Sequence, residues 1–591
     1  FRYEAKLTED PIDEDETSHD PNTVPTFHGY SKNGTAQGRV VYANYGRLED
    51  FEFLKTQGIQ LNGTIALVRY GGSFRGLKVR AAEVYGCSGV LIYSDPIDDG
   101  PLNKSEENGN PAESYPKGPW RSPSSAQRGS VLYLSLLAGD PLTPGYPALE
   151  NATRVDPEEG LAKIPSLPLS WEDALPLLKA TQGLGVKGKD WTGGLDVDYS
   201  SGPTEGEAIL VNHIENKVTP IWNVIGRIEG SEEPEKVIVL GNHRDAWVYG
   251  AVDPSSGSAA LLELARVLGE LVKRGWRPRR TILLASWDAE EYGLVGSTEW
   301  VEDNRDWLDK QAVVYINVDT AVSGPHFETN ASPSLNRLIY QVASLVSDPR
   351  TGGSIYDAWS ADHGLEKPPV GQLGSGSDFV AFLDHVGIAS INLAFKGDYG
   401  VYHSNYDSFH WMEKFGDPEF KYHKAIVQVW GLLALRLADS LILPFSPLDY
   451  AVELVDYVDQ LNSYSVYQLD VLADSVQVLK KVAGDFERRV ERLAQRLTDY
   501  NSNAQIPTWL QKKLKKINDR LTYFERDLTD AEGIPGRTWF KHVVYAPGLW
   551  TGYSSQVFPA IVDSIDAHND SLVAHTEERA AKSIRRAAKG L

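Results

Sequence analysis

The sequence predicts an α/β protein in three parts, and three features point to it. Apolar strand-like runs alternate with helical runs through the first two thirds. The composition is 41% hydrophobic and 10% aromatic, enough for large cores. The last quarter repeats apolar residues at three- and four-residue steps. A chain of 591 residues is also long enough to divide into several domains.

The stretch from Glu9 to Asp20 is acidic and turn-rich and reads as an irregular surface segment. From Gly38 the text becomes VVYANY, TIALVRY, the helical RGLKVRAAEVYG and then VLIYSD, the spacing of a β-α-β unit. Pro96 to Pro147 is rich in Pro, Gly and Ser and reads as long loops on that unit. Gly183 to Gly206 is a second glycine-rich stretch. At Pro220 the pattern changes. Ile221 to Ile228, Val237 to Leu240, Thr281 to Trp287, Ala312 to Val318 and Ile388 to Phe395 read as strands. Ser255 to Arg274 and Leu335 to Val346 read as helices, the first with Ser255 and Ser256 as capping candidates and Gly275 at its end. This alternation predicts a layered sheet with helices on both faces. From Ser446 the chain is helical. Leu469, Leu472, Val476, Leu479, Phe486, Val490, Leu493 and Leu497 form one apolar face, which fits a seam between two copies or, more commonly, an intrachain bundle core.

Composition excludes several functions. Asp and Glu outnumber Lys and Arg by 81 to 58, a net charge of −23, which argues against nucleic acid and anionic membrane surfaces as partners. Cys87 is the only cysteine, so no internal disulfide forms, and GCSGVLIY makes it a buried small residue. No run of about 18 apolar residues spans a bilayer. The chain opens at Phe1 without a signal-peptide pattern and reads as a fragment whose start has been removed. Sequons at Asn33, Asn62, Asn103, Asn151, Asn330 and Asn569 are glycosylation candidates and hint at a secretory route.

The chemistry concentrates in the middle third. His243 in GNHRD, Asp253 in AVDPSSG, Glu290 and Glu291 in WDAEEYG, Asp319 in INVDTA and His403 in YHSNYD are the inventory two adjacent divalent metals need. Most follow predicted strands, where open α/β sheets place their ligands. Two adjacent glutamates beside an apolar strand repel each other unless a cation compensates. One can then ligate while Glu290 takes a proton from water and passes it to a leaving amine. Asp245 and Asp407 are expected to orient the two histidines. The residues therefore predict a hydrolase using two Zn2+ ions, and the absence of thiolate ligands argues against redox metals.

The segments GNHRDAWVYGAVDPSSG, ASWDAEEYGLVGSTEW, YINVDT, LGSGSDF and YHSNYD closely resemble the glutamate carboxypeptidase II (prostate-specific membrane antigen) family, whose relatives include the transferrin receptor. FRGLKVRAA, AGDPLTPGYPA and HVVYAPG carry the same resemblance, which covers nearly the whole chain. It implies an apical protease-associated β/α domain over residues 1–217, a mixed-sheet zinc-exopeptidase domain over 218–445 and a helical dimerisation domain over 446–591, hence a homodimer. It assigns His243 and Asp319 to one zinc, Glu291 and His403 to the other, Asp253 to the bridge and Glu290 to the general base. Thr143, Tyr146, Glu299 and Glu302 match a structural calcium site, an oxygen-only set that suits that ion. The resemblance further implies the ectodomain of a type II membrane protein in the secretory pathway, extracellular or vacuolar, with the anchor and the first piece of the peptidase domain absent from this chain.

Arg75, Tyr402 and Tyr553 match residues that hold a substrate's α-carboxylate, with Ser375 and Gly376 of LGSGSDF beside them. The family's pocket lysine is replaced by Gly552 and its nearby asparagine by Ser130, while Thr329, Asn392 and Ala394 stand where it carries arginines. The expected activity is a carboxypeptidase acting on peptides with relaxed acidic specificity. Its rivals are an aminopeptidase on the same scaffold and a non-catalytic, transferrin-receptor-like binding protein.

Overall fold

A computed structural model describes residues 2–103, 112–157, 160–498 and 506–591. The first sheet has five strands. β1 (Gly34–Tyr42), β2 (Ile65–Arg69), β3 (Gly89–Tyr93) and β4 (Ser166–Leu169) run parallel, and β5 (Glu207–Asn212) joins β1 antiparallel, giving the order β4-β3-β2-β1-β5. β2 and β3 are buried along their whole length, as the runs IALVR and GVLIY require of strands covered on both faces. Helix α1 (Arg75–Val84) connects them, completing the expected β-α-β unit. Cys87 is buried as expected.

The second sheet has six strands: β6 (Val224–Ile228), β7 (Glu233–His243), β8 (Arg280–Trp287), β9 (Ala312–Asn317), β10 (His326–Ala331) and β11 (Ser390–Lys396). Its order is β10-β11-β9-β7-β8-β6. The central β11, β9, β7 and β8 are parallel, and antiparallel β10 and β6 close the edges. In the β7–β8 register Trp287 lies opposite His243, so these two strands end together. Helix α2 (Ser255–Lys273) buries Ala260, Leu261, Leu264 and Leu268, one face at helical spacing. Its serines do not cap it. The Ser256 hydroxyl donates to the Val252 carbonyl at 2.6 Å and accepts the amides of Ala321 and Val322 at 2.9 and 3.3 Å, pinning the helix start to the loop after β9.

The C-terminal part is helical: α3 (Pro447–Tyr464), α4 (Asp470–Thr498), α5 (Thr508–Tyr523) and α6 (Asp570–Gly590). Leu469, Leu472, Val476, Leu479 and Phe486 are buried in the same continuous core as the second sheet, while Leu493 packs in a small cluster with Leu510 and Leu514. That apolar face is thus intrachain core. Phe74, Leu77, Leu132 and Leu134 of the first part also belong to the core of the second sheet, so the first part is wedged onto that sheet. Among the described residues no helix is long and apolar enough to cross a membrane.

One expectation holds only in part: residues 9–20 are turn-rich and mostly exposed, but two of their acids are not. The acidic N-terminal stretch is not simply surface. The Glu9 side chain is 2% exposed, forms an ion pair with Arg128 at 2.9 Å and accepts the amide of Asn405 at 3.1 Å. Asp15 is buried and accepts hydrogen bonds from Tyr115 and Ser408. Partners far away in sequence absorb these charges, so local composition misleads. Of the sequons, Asn33, Asn62, Asn151 and Asn569 are exposed, and Asn103 and Asn330 are half-buried.

Candidate active site

Four loops at the carboxyl ends of parallel strands converge. His243 ends β7, the Glu290-Glu291 turn follows β8, Asp319 follows β9 and His403 lies in the loop beyond β11, with Asp253 just ahead of α2. Nε2 of His243 is 2.9 Å from Oδ1 of Asp319, 3.3 Å from Oδ1 of Asp253 and 3.8 Å from Oε2 of Glu290. Nε2 of His403 is 3.2 Å from both Oδ2 of Asp253 and Oε2 of Glu291. Asp253 therefore faces one histidine with each oxygen. Candidate ligand atoms of His243, Glu290 and Asp319, and of Asp253, Glu291 and His403, each fall within 4.8 Å of one another.

The charge state of this cluster calls for cations. Burial drives Glu290 and Glu291 well above the usual carboxylate range; Asp319 and Asp378 add to the effect on Glu290, and Asp253 to that on Glu291. Oδ1 of Asp253 and Oε1 of Glu291 are buried without a hydrogen-bond partner. Unpaired acceptors beside two imidazoles suit a divalent metal of the zinc type. Backbone strain gathers here as well: Ala289, Leu294 and His403 have φ of 54°, 59° and 55°, left-handed values that side chains seldom adopt.

Of the two supporting aspartates, Asp245 meets His243 as expected, with Oδ1 of its carboxylate 3.5 Å from Nδ1, and has a second task; Asp407 does different work. Nδ1 of His243 bonds the main-chain carbonyl of Asp245 at 3.0 Å, and the Asp245 carboxylate accepts the amides of Glu290 and Glu291 at 2.9 and 3.1 Å. Asp245 thus fixes the glutamate turn. Asp407 accepts the amides of Val252 and Asp253 at 2.8 and 3.1 Å and the Tyr399 hydroxyl at 2.8 Å, so it fixes Asp253 rather than His403. His403 is held instead by the carbonyl of Arg128 at 3.1 Å and by stacking on Tyr402 with ring centres 3.6 Å apart. Sequence reasoning missed Arg128, Glu9 and Ser377, whose hydroxyl donates to Asp319 at 2.5 Å. Only the placement of Ser377 in LGSGSDF offered any signal.

Arg75 opens α1 and reaches this cluster from the apical segment. It is 3% exposed. Its Nη2 donates to Oε1 of Gln127 at 2.9 Å and lies 3.4 Å from Nδ1 of His403, while Nε has no partner. Among the described residues no ion pair includes it. Tyr402 and Tyr553 join hydroxyls at 3.3 Å beside it, and Tyr553 packs edge-on against Phe74. These residues, with Gly376, line a cavity of about 60 Å3 that opens on the cluster. Ser375 instead donates to the Tyr553 carbonyl at 2.6 Å. Gly552 lies behind the wall with φ +75°, where a Cβ would meet Phe74 at 2.7 Å.

On a separate face, Glu299 accepts the amides of Asp140 and Ala148 at 2.7 Å each, and Glu302 accepts Nε1 of Trp539 at 2.8 Å. Burial pushes Glu299 up to about 8 and Glu302 up to about 7. Oε2 of Glu302 and Oγ1 of Thr143 are buried and unpartnered. The Tyr146 hydroxyl is bonded to the Thr153 carbonyl at 2.6 Å.

Comparison with known proteins gives the family. Residues 223–416 match the model of Peptidase family M28, 9–124 the PA domain and 467–591 the Transferrin receptor-like dimerisation domain. The "Probable glutamate carboxypeptidase" of Arthroderma benhamiae is 43% identical over 96% of this chain and 78% of its own. The chain belongs to the glutamate carboxypeptidase II and transferrin receptor-like family. Within it, mouse "Aminopeptidase NAALADL1" is 38% identical over 92% of this chain and 75% of its own. The yeast "Vacuolar protein sorting-associated protein 70" is 32% identical over 95% and 71%. Membership in family M28 makes the chain a metallopeptidase, with zinc the metal that family implies.

Proposed function

We propose that the chain is a dinuclear zinc carboxypeptidase. His243 and Asp319 would hold one zinc, Glu291 and His403 the second, and Asp253 would bridge them. The two faces of Asp253 and the orphaned oxygens of Asp253 and Glu291 support this division. Bound zinc supplies Lewis acidity, polarising the scissile carbonyl and lowering the pKa of water. Glu290 holds the proton taken from water on its carboxylate and delivers it to the leaving amine. Asp245 keeps Glu290 in place through its backbone amide.

The observation that carries the carboxypeptidase reading is Arg75. A buried guanidinium without a carboxylate partner, beside His403, calls for an anion brought by the substrate. A C-terminal carboxylate is that anion, with Tyr402 and Tyr553 framing it and Ser375 holding the Tyr553 loop. The terminal side chain need not be acidic. Peptides with blocked N-termini and free C-termini should be cleaved, and C-amidated peptides with free N-termini should not. The reverse pattern would assign an aminopeptidase, as one relative is named.

The same reading places structural calcium at Glu299, Glu302, Thr143 and Tyr146, supported by two raised carboxyls and two unpartnered oxygens. The Tyr146 hydroxyl is engaged elsewhere, so its carbonyl would be its donor. We divide the chain at 217 and 445, between β5 and β6 and ahead of α3, and assign the last part to homodimer formation. A lumenal or extracellular ectodomain, glycosylated at exposed sequons, completes the proposal.

A further inference from the structure

We propose that the residue released from the substrate's C-terminus is apolar, the cavity beside Arg75 being a receptor for an uncharged aliphatic side chain. The inference rests on the carboxylate-binding role of Arg75. It follows from an inventory of the cavity's polar capacity. Apart from the six cluster residues, Arg75 is the one cation lining it among the described residues. If the α-carboxylate takes that guanidinium, no second fixed cation remains for an acidic side chain. The other hydrogen-bonding side chains on the wall outside the cluster are neutral hydroxyls, which carry no charge to offset that of an acidic side chain. Oγ of Ser130 accepts the Leu132 amide at 3.1 Å, and the hydroxyls of Tyr402 and Tyr553 face each other at 3.3 Å.

The rest of the wall is hydrocarbon. Phe74, Leu132, Leu134 and Leu294 line the cavity and are 4%, 0%, 8% and 2% exposed. They are anchored in the large core and do not swing aside freely. Leu132 is pressed against the glutamate turn, for a Cβ on Gly293 would stand 2.4 Å from its Cδ2. A carboxylate or an ammonium pushed against these four side chains would lose hydration without a charged partner among them in exchange. An aliphatic side chain gains from the same contacts.

The test uses N-acetyl dipeptides ending in Leu, Glu or Lys with a free carboxylate, together with the amide of the Leu peptide, on the zinc-loaded full chain. The Leu peptide should exceed both charged peptides by at least about 100-fold in kcat/KM, and the amide should be inert. Glutamate equal to or better than leucine, with the amide still inert, overturns this inference and leaves the role of Arg75 standing. Cleavage of the amide at the rate of the free acid overturns both. Free leucine should also inhibit as a product at lower concentration than free glutamate. The opposite order counts against the proposal without any substitution. Leu134→Arg, which puts a cation on that wall, should narrow the Leu to Glu ratio at least tenfold; an unchanged ratio in a folded, zinc-loaded variant argues against this wall as the receptor.

Discussion

Nη2 of Arg75 stands 3.4 Å from Nδ1 of His403, although 328 residues separate them. The contact joins the apical segment to the proposed metal cluster, so the cavity is complete only when both parts are docked. A carboxylate held by Arg75 would lie within reach of the cluster, which is the geometry an exopeptidase needs at a chain end.

Replacing Arg75 by Met should therefore lower kcat/KM for peptides with free C-termini by on the order of 30- to 5,000-fold, the range for losing a buried charge partner. Arg75→Lys should recover only part of it, since an ammonium lacks the planar fork. Zinc content should stay unchanged. Steady-state kinetics with parallel metal analysis decide the point. A variant with full activity would remove Arg75 from the site.

Asp407→Asn should loosen the metals. Asp407 accepts two backbone amides that set the position of Asp253, and an amide side chain keeps only one acceptor oxygen. Zinc affinity, measured against a competing chelator, is expected to fall by about 10- to 100-fold. The same loss is expected for Asp245→Asn, where the fault lies in the glutamate turn.

Calcium dependence should carry a pH signature. In the absence of a cation, burial raises Glu299 to about 8 and Glu302 to about 7, from 4.5 in the unfolded chain. The folded protein then binds protons that the unfolded chain has released. The stability from these groups is fully present below pH 4.5 and is lost as pH rises through 7 to 8. A bound cation takes over from those protons. In zinc-replete buffer the melting temperature with calcium should exceed that without it by more at about pH 8.5 than at about pH 5. A gap independent of pH would point to a different origin.

The sequence carried much of this. Strand-like runs such as TIALVRY and VVYINV lie close to observed strands because parallel strands covered on both faces are continuously apolar. Most of the six cluster residues are legible because side chains of that chemistry follow those runs. What stayed hidden depends on contacts between distant segments. Nothing in EDPIDEDETSHD distinguishes Glu9, paired with Arg128 behind His403, from the exposed acids around it. Asp407 sits four residues from His403 in sequence, yet folding turns it toward Asp253. Ser256 looked like a helix cap and instead ties two loops together.

Turnover by Glu290→Gln is the most direct measure of the central claim. The variant keeps the size and the backbone contacts of Glu290 and lacks only the group that accepts the proton. It should retain the zinc content of the parent protein and lose activity by at least about 1,000-fold. Activity near the parent level at equal zinc content would contradict the assignment of the base and, with it, the proposed reaction.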